Sequence, residues 1–247
     1  MSALAKLTKV EAKIFARDSM ALLWSVLFPG LLLLVLGSFF PGAQEPSDDL
    51  GGVRLVDLYA PIVLGLALAT VAFATLPAVL ATYRERGILR KLSTTPVHPG
   101  RLVIAQLLVH LAAAAIAAAL AIAVGVIVFD IPVPENLFGF AFAFLLAAAS
   151  MLAVGLLIGA VAPTLSAGQG LGLAVYFPML FFAGIYFPRE GMSDGLRMVS
   201  DLTPSGAAVQ ALKDTWSGLA PSTSSLLVMT AFAVGAGLLA TRLFRWE

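Results

Sequence analysis

Residues 83–101, YRERGILRKLSTTPVHPGR, hold the densest set of groups able to work on another molecule. Arg84, Glu85, Arg86, Arg90 and Lys91 surround an apolar edge of Ile88, Leu89 and Leu92. Residues 84–93 read as a short helix. Thr94, Thr95, Pro96 and Pro99 then break it, because proline lacks the N–H and disfavours a helical residue before it. These groups suit docking rather than bond chemistry. Leu89 and Leu92 offer apolar grip, and the flanking charges set register against a complementary partner. A plain positive topology loop would explain the arginines. It would not explain Glu85-x-Gly87 or the apolar edge.

Reactive chemistry is sparse elsewhere. The chain has no cysteine, so no disulfide framework, Cys-ligated zinc or thiol nucleophile is available. His98 lies in the basic loop, and His110 sits near one end of an apolar run, where a helix-packing role is expected. No G-x-x-x-x-G-K-[ST] or H-E-x-x-H sequence is present. The Ser166 to Gly170 cluster has no His and Asp partner, and reads as small-residue helix packing. No catalytic, cofactor or metal site is expected in this chain.

Two further segments invite a role. Residues 3–18 place Lys6, Lys9, Lys13 and Arg17 on one helical stripe, and Ala3, Leu7, Val10 and Ile14 on the next. That pattern suits a helix lying along a membrane surface. Residues 181–187 are aromatic and apolar until Pro188. The following pieces, 196–202 and 207–216, are each too short to span, so they read as helices on or dipping into one leaflet, joined at Thr203 and Pro204.

The elements that must position these groups are membrane helices. The chain has 247 residues, 60% hydrophobic and 12% charged, against roughly 25% charged in an ordinary soluble domain. Mean hydropathy is +0.98 and net charge +1. A soluble domain could not cover itself with so few polar groups, and a broad basic face for nucleic acid is excluded. Six stretches approach the ~20 apolar residues a crossing needs: about 21–40, 58–82, 102–129, 137–161, 167–187 and 225–243. They form one domain, all-α and integral to the membrane. The first run is too long for a cleaved signal. Pro61, Pro77 and Pro178 are expected to kink their spans. The span interiors hold no Asp, Glu, Lys or Arg, which argues against proton coupling or voltage sensing.

Basic residues set orientation. Lys6, Lys9, Lys13 and Arg17 precede span one, five more lie between spans two and three (Arg84, Arg86, Arg90, Lys91, Arg101), and Arg242 and Arg245 end the chain. The opposite side has only Arg54, Arg189, Arg197 and Lys213 among many acids. Both termini are therefore expected in the cytoplasm, with the chain multi-pass in the plasma (inner) membrane.

With these features together, the whole chain resembles the ABC-2 type permeases, the transmembrane subunits of ATP-binding-cassette exporters. Glu85, Gly87, Leu89, Leu92 and Pro96 match the family's E-x-G-x-L-x-x-L-x-x-x-P pattern. Leu202-Thr203-Pro204 corresponds to a motif usually written N-P, with Thr in place of Asn. The chain is similar in kind to drug exporters of the daunorubicin-resistance type. The resemblance implies two permease subunits, identical or paralogous, and two separate ATPase subunits that bind ATP and Mg. It implies a coupling helix at 84–95, a connecting helix at 3–18, and short external helices at 196–216 that close an outer gate. Spans two and five would line the path across the dimer axis. Span two would offer Val63, Leu66, Thr70 and Phe73, and span five Tyr176, Phe177, Leu180, Phe181 and Phe182. Such walls suit a hydrophobic or amphiphilic drug or antibiotic, with a lipid, lipid-linked glycan or peptide as the next reading. An intramembrane enzyme would need polar groups at depth. A mere assembly protein would not need the Glu85-x-Gly87 pattern.

Overall fold

The computed structural model describes residues 3–93 and 100–244. Helix α1 (Ala3–Phe15) comes first. It stops short of the expected residue 18, because Ala16 and Arg17 turn and Asp18 starts the next helix. The Asp18 carboxylate accepts the N–H groups of Met20 and Ala21 at 3.1 and 3.0 Å, satisfying donors that a helix start leaves open. That helix, α2 (Ser19–Phe39), leads into a small hairpin of β1 (Pro46–Ser47) and β2 (Val53–Arg54).

Helix α3 (Leu55–Glu85) follows, then the short α4 (Ile88–Ser93). Next come α5 (Gly100–Phe129), α6 (Leu137–Val161) and α7 (Leu165–Ala183). Two short helices, α8 (Asp194–Asp201) and α9 (Pro204–Trp216), precede α10 (Thr223–Leu243). Helices α2, α3, α5, α6, α7 and α10 are long and apolar enough to cross a membrane. Two ends differ from expectation. Helix α7 stops at Ala183 because Gly184 (φ +88°) takes the left-handed cap, so Ile185 to Phe187 lie beyond it. Helix α3 runs past residue 82 to Glu85, about 46 Å at 1.5 Å per residue, against a hydrocarbon core of ~30 Å. Its end carries Tyr83, Arg84 and Glu85 clear of the apolar stretch.

Helix α3 is the hub of the bundle, apolar all round and buried on nearly every side, as such a helix must be. Helices α2 and α5 flank it on one side, α6 and α7 on the other, and α9 closes over it. Helix α10 packs chiefly on α6, while α5 and α6 barely touch.

Of the prolines expected to kink their spans, Pro77 follows a specific device, while Pro61 and Pro178 lie inside α-helical turns without it. Turns of π-helix at Leu23–Leu27 and Thr70–Thr75 precede Pro29 and Pro77. A π-turn adds a residue and gives room to a ring that would strike the carbonyl four positions back. Glycines on neighbouring helices press on this widened turn. A Cβ at Gly155 of α6 would collide with the Ala72 carbonyl, and one at Gly172 of α7 with the Phe73 carbonyl. Lipid gives apolar side chains no reason to prefer one another, so close backbone contact of this kind holds spans together.

Candidate functional site

The site is built at the end of α3. Arg86 and Gly87 terminate the helix, with the Gly87 N–H donating to the Arg84 carbonyl at 2.9 Å. Gly87 has φ +65°, which a residue with a Cβ adopts only at a cost. The Lys91 N–H then donates to the Gly87 carbonyl and opens α4. The expected single helix over 84–93 is therefore corrected. Arg84 and Glu85 belong to the membrane helix, and only residues 88–93 form the separate piece, hinged at Gly87.

Three consecutive residues at this point grip three different neighbours. The Arg84 guanidinium donates to the carbonyls of Gly159 (2.9 Å), Ala160 (3.0 Å) and Ala162, the open end of α6. It also lies 5.4 Å over the Phe244 ring, just past α10. The Glu85 carboxylate accepts the Leu165 N–H at 2.7 Å, the first residue of α7. A cation thus meets a helix C-terminus and an anion the next N-terminus, each favoured by the local dipole. Together they clamp the α6–α7 turn.

Tyr83 reaches the other way. Its hydroxyl donates to the Glu11 carboxylate at 2.5 Å, and the Gln106 amide of α5 donates to the same oxygen at 2.6 Å. Glu11 is only 7% exposed, and these bonds compensate for its burial. Beside them the His110 ring meets the Gln106 carbonyl at 2.8 Å and the edge of Phe15 at 5.8 Å. That is the packing role expected of it. Helix α1 is thereby pinned to α3 and α5.

Of the residues expected to dock a partner, Leu89 faces inward. At 1% exposed it packs into the core of this same chain, so its expected outward grip is corrected: it anchors α4. Ile88 is half-buried beside it, whereas Arg86 and Lys91 are exposed. The side chains of Arg90 and Leu92, and all of Pro96, lie outside the described residues.

The expected path residues divide in the same way. Val63, Leu66, Thr70 and Phe73 are buried inside the protomer, and α3 presents none of them on an open wall. Leu180 is buried, while Tyr176, Phe181 and Phe182 are half-buried. Phe177, at 54% exposed, is the member on the outer surface of α7. The two sets meet where the Thr70 and Tyr176 hydroxyls lie 3.0 Å apart.

An open cavity of about 590 Å³ lies beside that contact, between α2, the π-turn end of α3 and the start of α7. Asp18, Ser25, Thr70, Thr75, Thr82, Tyr83, Arg86 and Gln169 supply its polar groups and Trp24 an aromatic wall. The Ser25 and Thr75 hydroxyls are 3.0 Å apart. Sequence reasoning missed this cavity because its polar groups come from three helices.

The opposite end has its own arginine. Arg189 is 3% exposed. It donates to the Gly206 carbonyl (2.8 Å) and the Gln210 side chain (3.2 Å) of α9, and pairs with Asp201 at the end of α8. The Thr203 hydroxyl accepts the Gly206 N–H at 3.1 Å with Pro204 following. Threonine therefore caps α9 as an asparagine there would. Helix α9 is largely buried, and its Val209 fills the space a Cβ at Gly65 would need. Gly65 lies about 15 Å along α3 from that helix's start, so α9 reaches deep beside it.

A family model described as ABC-2 type transporter matches residues 3–215. The chain belongs to the ABC-2 type transporter family. It is a multi-pass membrane protein and the permease subunit of an ATP-binding-cassette exporter. The comparison with curated proteins returns no match. The match takes in α1, the clamp, the cavity and nearly all of α9. As a transport subunit of this family, the chain works with an ATP-binding-cassette ATPase. Among the described residues, no three His, Asp or Glu side chains gather so as to hold a metal ion.

Proposed function

We propose that this ABC-2 permease exports amphiphilic compounds, drugs or antibiotics among them, and that α4 receives the work from the ATPase. Two ATPase subunits would bind ATP and Mg and serve two permease subunits, with the basic end in the cytoplasm of the plasma (inner) membrane. The observation that carries this reading is the run Tyr83–Arg84–Glu85, placed directly before the Gly87 hinge and α4. Closure of the ATPase pair pushes α4, which is anchored through Leu89. The push reaches α3, and Arg84 and Glu85 pass it to the α6–α7 turn, while Tyr83 carries α1 and α5 along. This is a rigid-body, two-state movement.

The polar cavity would hold the polar end of the cargo, with its apolar part against Trp24 and the surrounding lipid. Val63, Leu66, Phe73 and the aromatics Tyr176, Phe177, Phe181 and Phe182 become a path wall only if α3 and α7 part. The Thr70–Tyr176 contact is where they would separate. Hydroxyls beside aromatic and aliphatic walls fit an amphiphile better than a bare hydrocarbon.

Glu85→Arg replaces the cap on α7 with a like charge. In a reconstituted complex, ATP hydrolysis should continue while transport falls at least about tenfold, an effect worth some 1.4 kcal/mol. Normal transport by that variant would end the coupling proposal. Substrate-stimulated ATPase activity across a compound panel would identify the cargo.

A further inference from the structure

The surface away from the cavity carries a second feature. Helices α5 and α6 hardly touch, and a continuous apolar groove runs between them. Its first lobe, about 600 Å³, is closed on one side by α10 and lined by Leu108, Ala149, Ala153, Val234 and Leu238. Its second, about 550 Å³, continues along Ala115, Ala119, Ile122 and Phe144. The lobes share Leu108, Leu111 and Leu145.

Along α5 the lining runs from Leu107 to Ile122, about 22 Å at the helical rise. One leaflet offers a tail only about 15 Å of depth, half the ~30 Å core. The groove is therefore long enough for tails from both leaflets. Its two mouths differ in charge. On α5, Arg101 lies seven residues before Leu108 and so on the same helical face. On α10, Arg242 lies four residues after Leu238 and also shares its face. Both arginines are exposed, and both flank the mouth at the basic end. The lining toward the far mouth, Ala119 and Ile122 on α5 and Phe140 and Ala141 on α6, carries no cation.

We propose that this groove is a binding site for an anionic phospholipid. One acyl tail fills the lobe between α5, α6 and α10, and the phosphate headgroup lies between Arg101 and Arg242. Exposed alanines on two barely touching helices leave the room for a tail, and the paired arginines select the headgroup. The bound lipid would fill the gap between α5 and α6, on the opposite side of the bundle from the transport cavity.

The test is native mass spectrometry of the full chain released from nanodiscs of equal phosphatidylglycerol and phosphatidylcholine. The wild type should retain one phosphatidylglycerol, preferred about tenfold over phosphatidylcholine, the order expected for basic groups at a membrane surface. Arg101→Gln with Arg242→Gln should keep a lipid but lose the preference. Ala149→Phe, and separately Ala233→Leu from another helix, should abolish retention while the protein stays monodisperse. Two groove-filling variants guard against one failing to fold. Equal retention by the filled variants, or no headgroup preference in the wild type, would overturn the proposal. So would efficient cross-linking of Leu145→Cys to a second copy, which would make the groove a protein interface.

Discussion

The two ends of the bundle are each held by an arginine, Arg84 half-buried and Arg189 buried, and the two are held differently. Arg84 spends its donors on three backbone carbonyls at the end of α6. Arg189 divides its donors between the Gly206 carbonyl, the Gln210 amide and the Asp201 carboxylate. Arg84 thus ties one long helix to the turn between two others, so a push on its own helix moves them. Arg189 ties two short helices to each other, and α9 meets α3 through packing such as Val209 against Gly65. In the proposed mechanism the first arrangement transmits and the second closes. A third arginine, Arg54 at the end of β2, combines both habits. It donates to the Phe129 carbonyl at 3.1 Å and forms a two-bond pair with Asp57 at 2.7 Å. The Asp57 hydrogen bond holds its pKa above the usual arginine value.

That contrast can be broken at either end. The largest effect is expected for Arg84→Ala, which orphans carbonyls of α6 and removes the contact on Phe244. Hydrogen bonds to a charged group contribute about 1.5–3 kcal/mol each, less than additively. A loss of about 3–5 kcal/mol is expected, read as a large fall in the thermal midpoint of the detergent-purified protein. Arg84→Lys should recover only part of it, since a point charge cannot span several carbonyls. Unchanged stability in Arg84→Ala would mean the clamp holds nothing.

Arg189→Leu should cost less, about 2–3 kcal/mol, because Asp201 is half-exposed and regains water. Its signature is local: a cysteine placed at Ser205, fully buried in α9, should label several-fold faster with a maleimide. ATP hydrolysis should be unaffected. If labelling is unchanged, the α8–α9 pair is held by packing and not by its arginine.

Tyr83→Phe is the mildest change. It removes one donor to Glu11 and leaves the Gln106 amide in place, so about 1–2 kcal/mol is expected. Adding Glu11→Gln should cost little more, because the two residues act in one network. Full additivity of the pair, measured as a double-mutant cycle on thermal stability, would show that they are not coupled.

How far these residues could be read in the sequence follows from how local their signals are. Six apolar runs are written in consecutive residues, and six helices follow them, whereas the break at Gly87 fell inside the helix expected over 84–93. Thr203 and Pro204 likewise announce a helix start that α9 uses. The network of Glu11, Tyr83 and Gln106 escaped because its members are far apart in the chain. Glu11 is one acid among the lysines of α1, and Gln106 one amide in an apolar run. Only the fold brings them to Tyr83. The path residues of α3 misled for a different reason. A helix apolar all round gives no sign of which face meets a neighbour, so Val63 and Phe73 read equally well as wall or interior. Leu89 was similarly ambiguous, since an apolar edge on a short helix can face its own chain or another.

The central claim is that α4 is where a separate ATPase delivers its work. The most direct measurement uses the natural absence of cysteine. Lys91→Cys places a single thiol on the exposed side of α4, and a short bifunctional reagent is applied to membranes containing the assembled transporter. The account predicts an adduct with the ATPase subunit that weakens several-fold when ATP binding is blocked, together with none from a thiol at Lys213 on α9. A thiol at position 91 that never captures the ATPase, in complexes that transport normally, would contradict it.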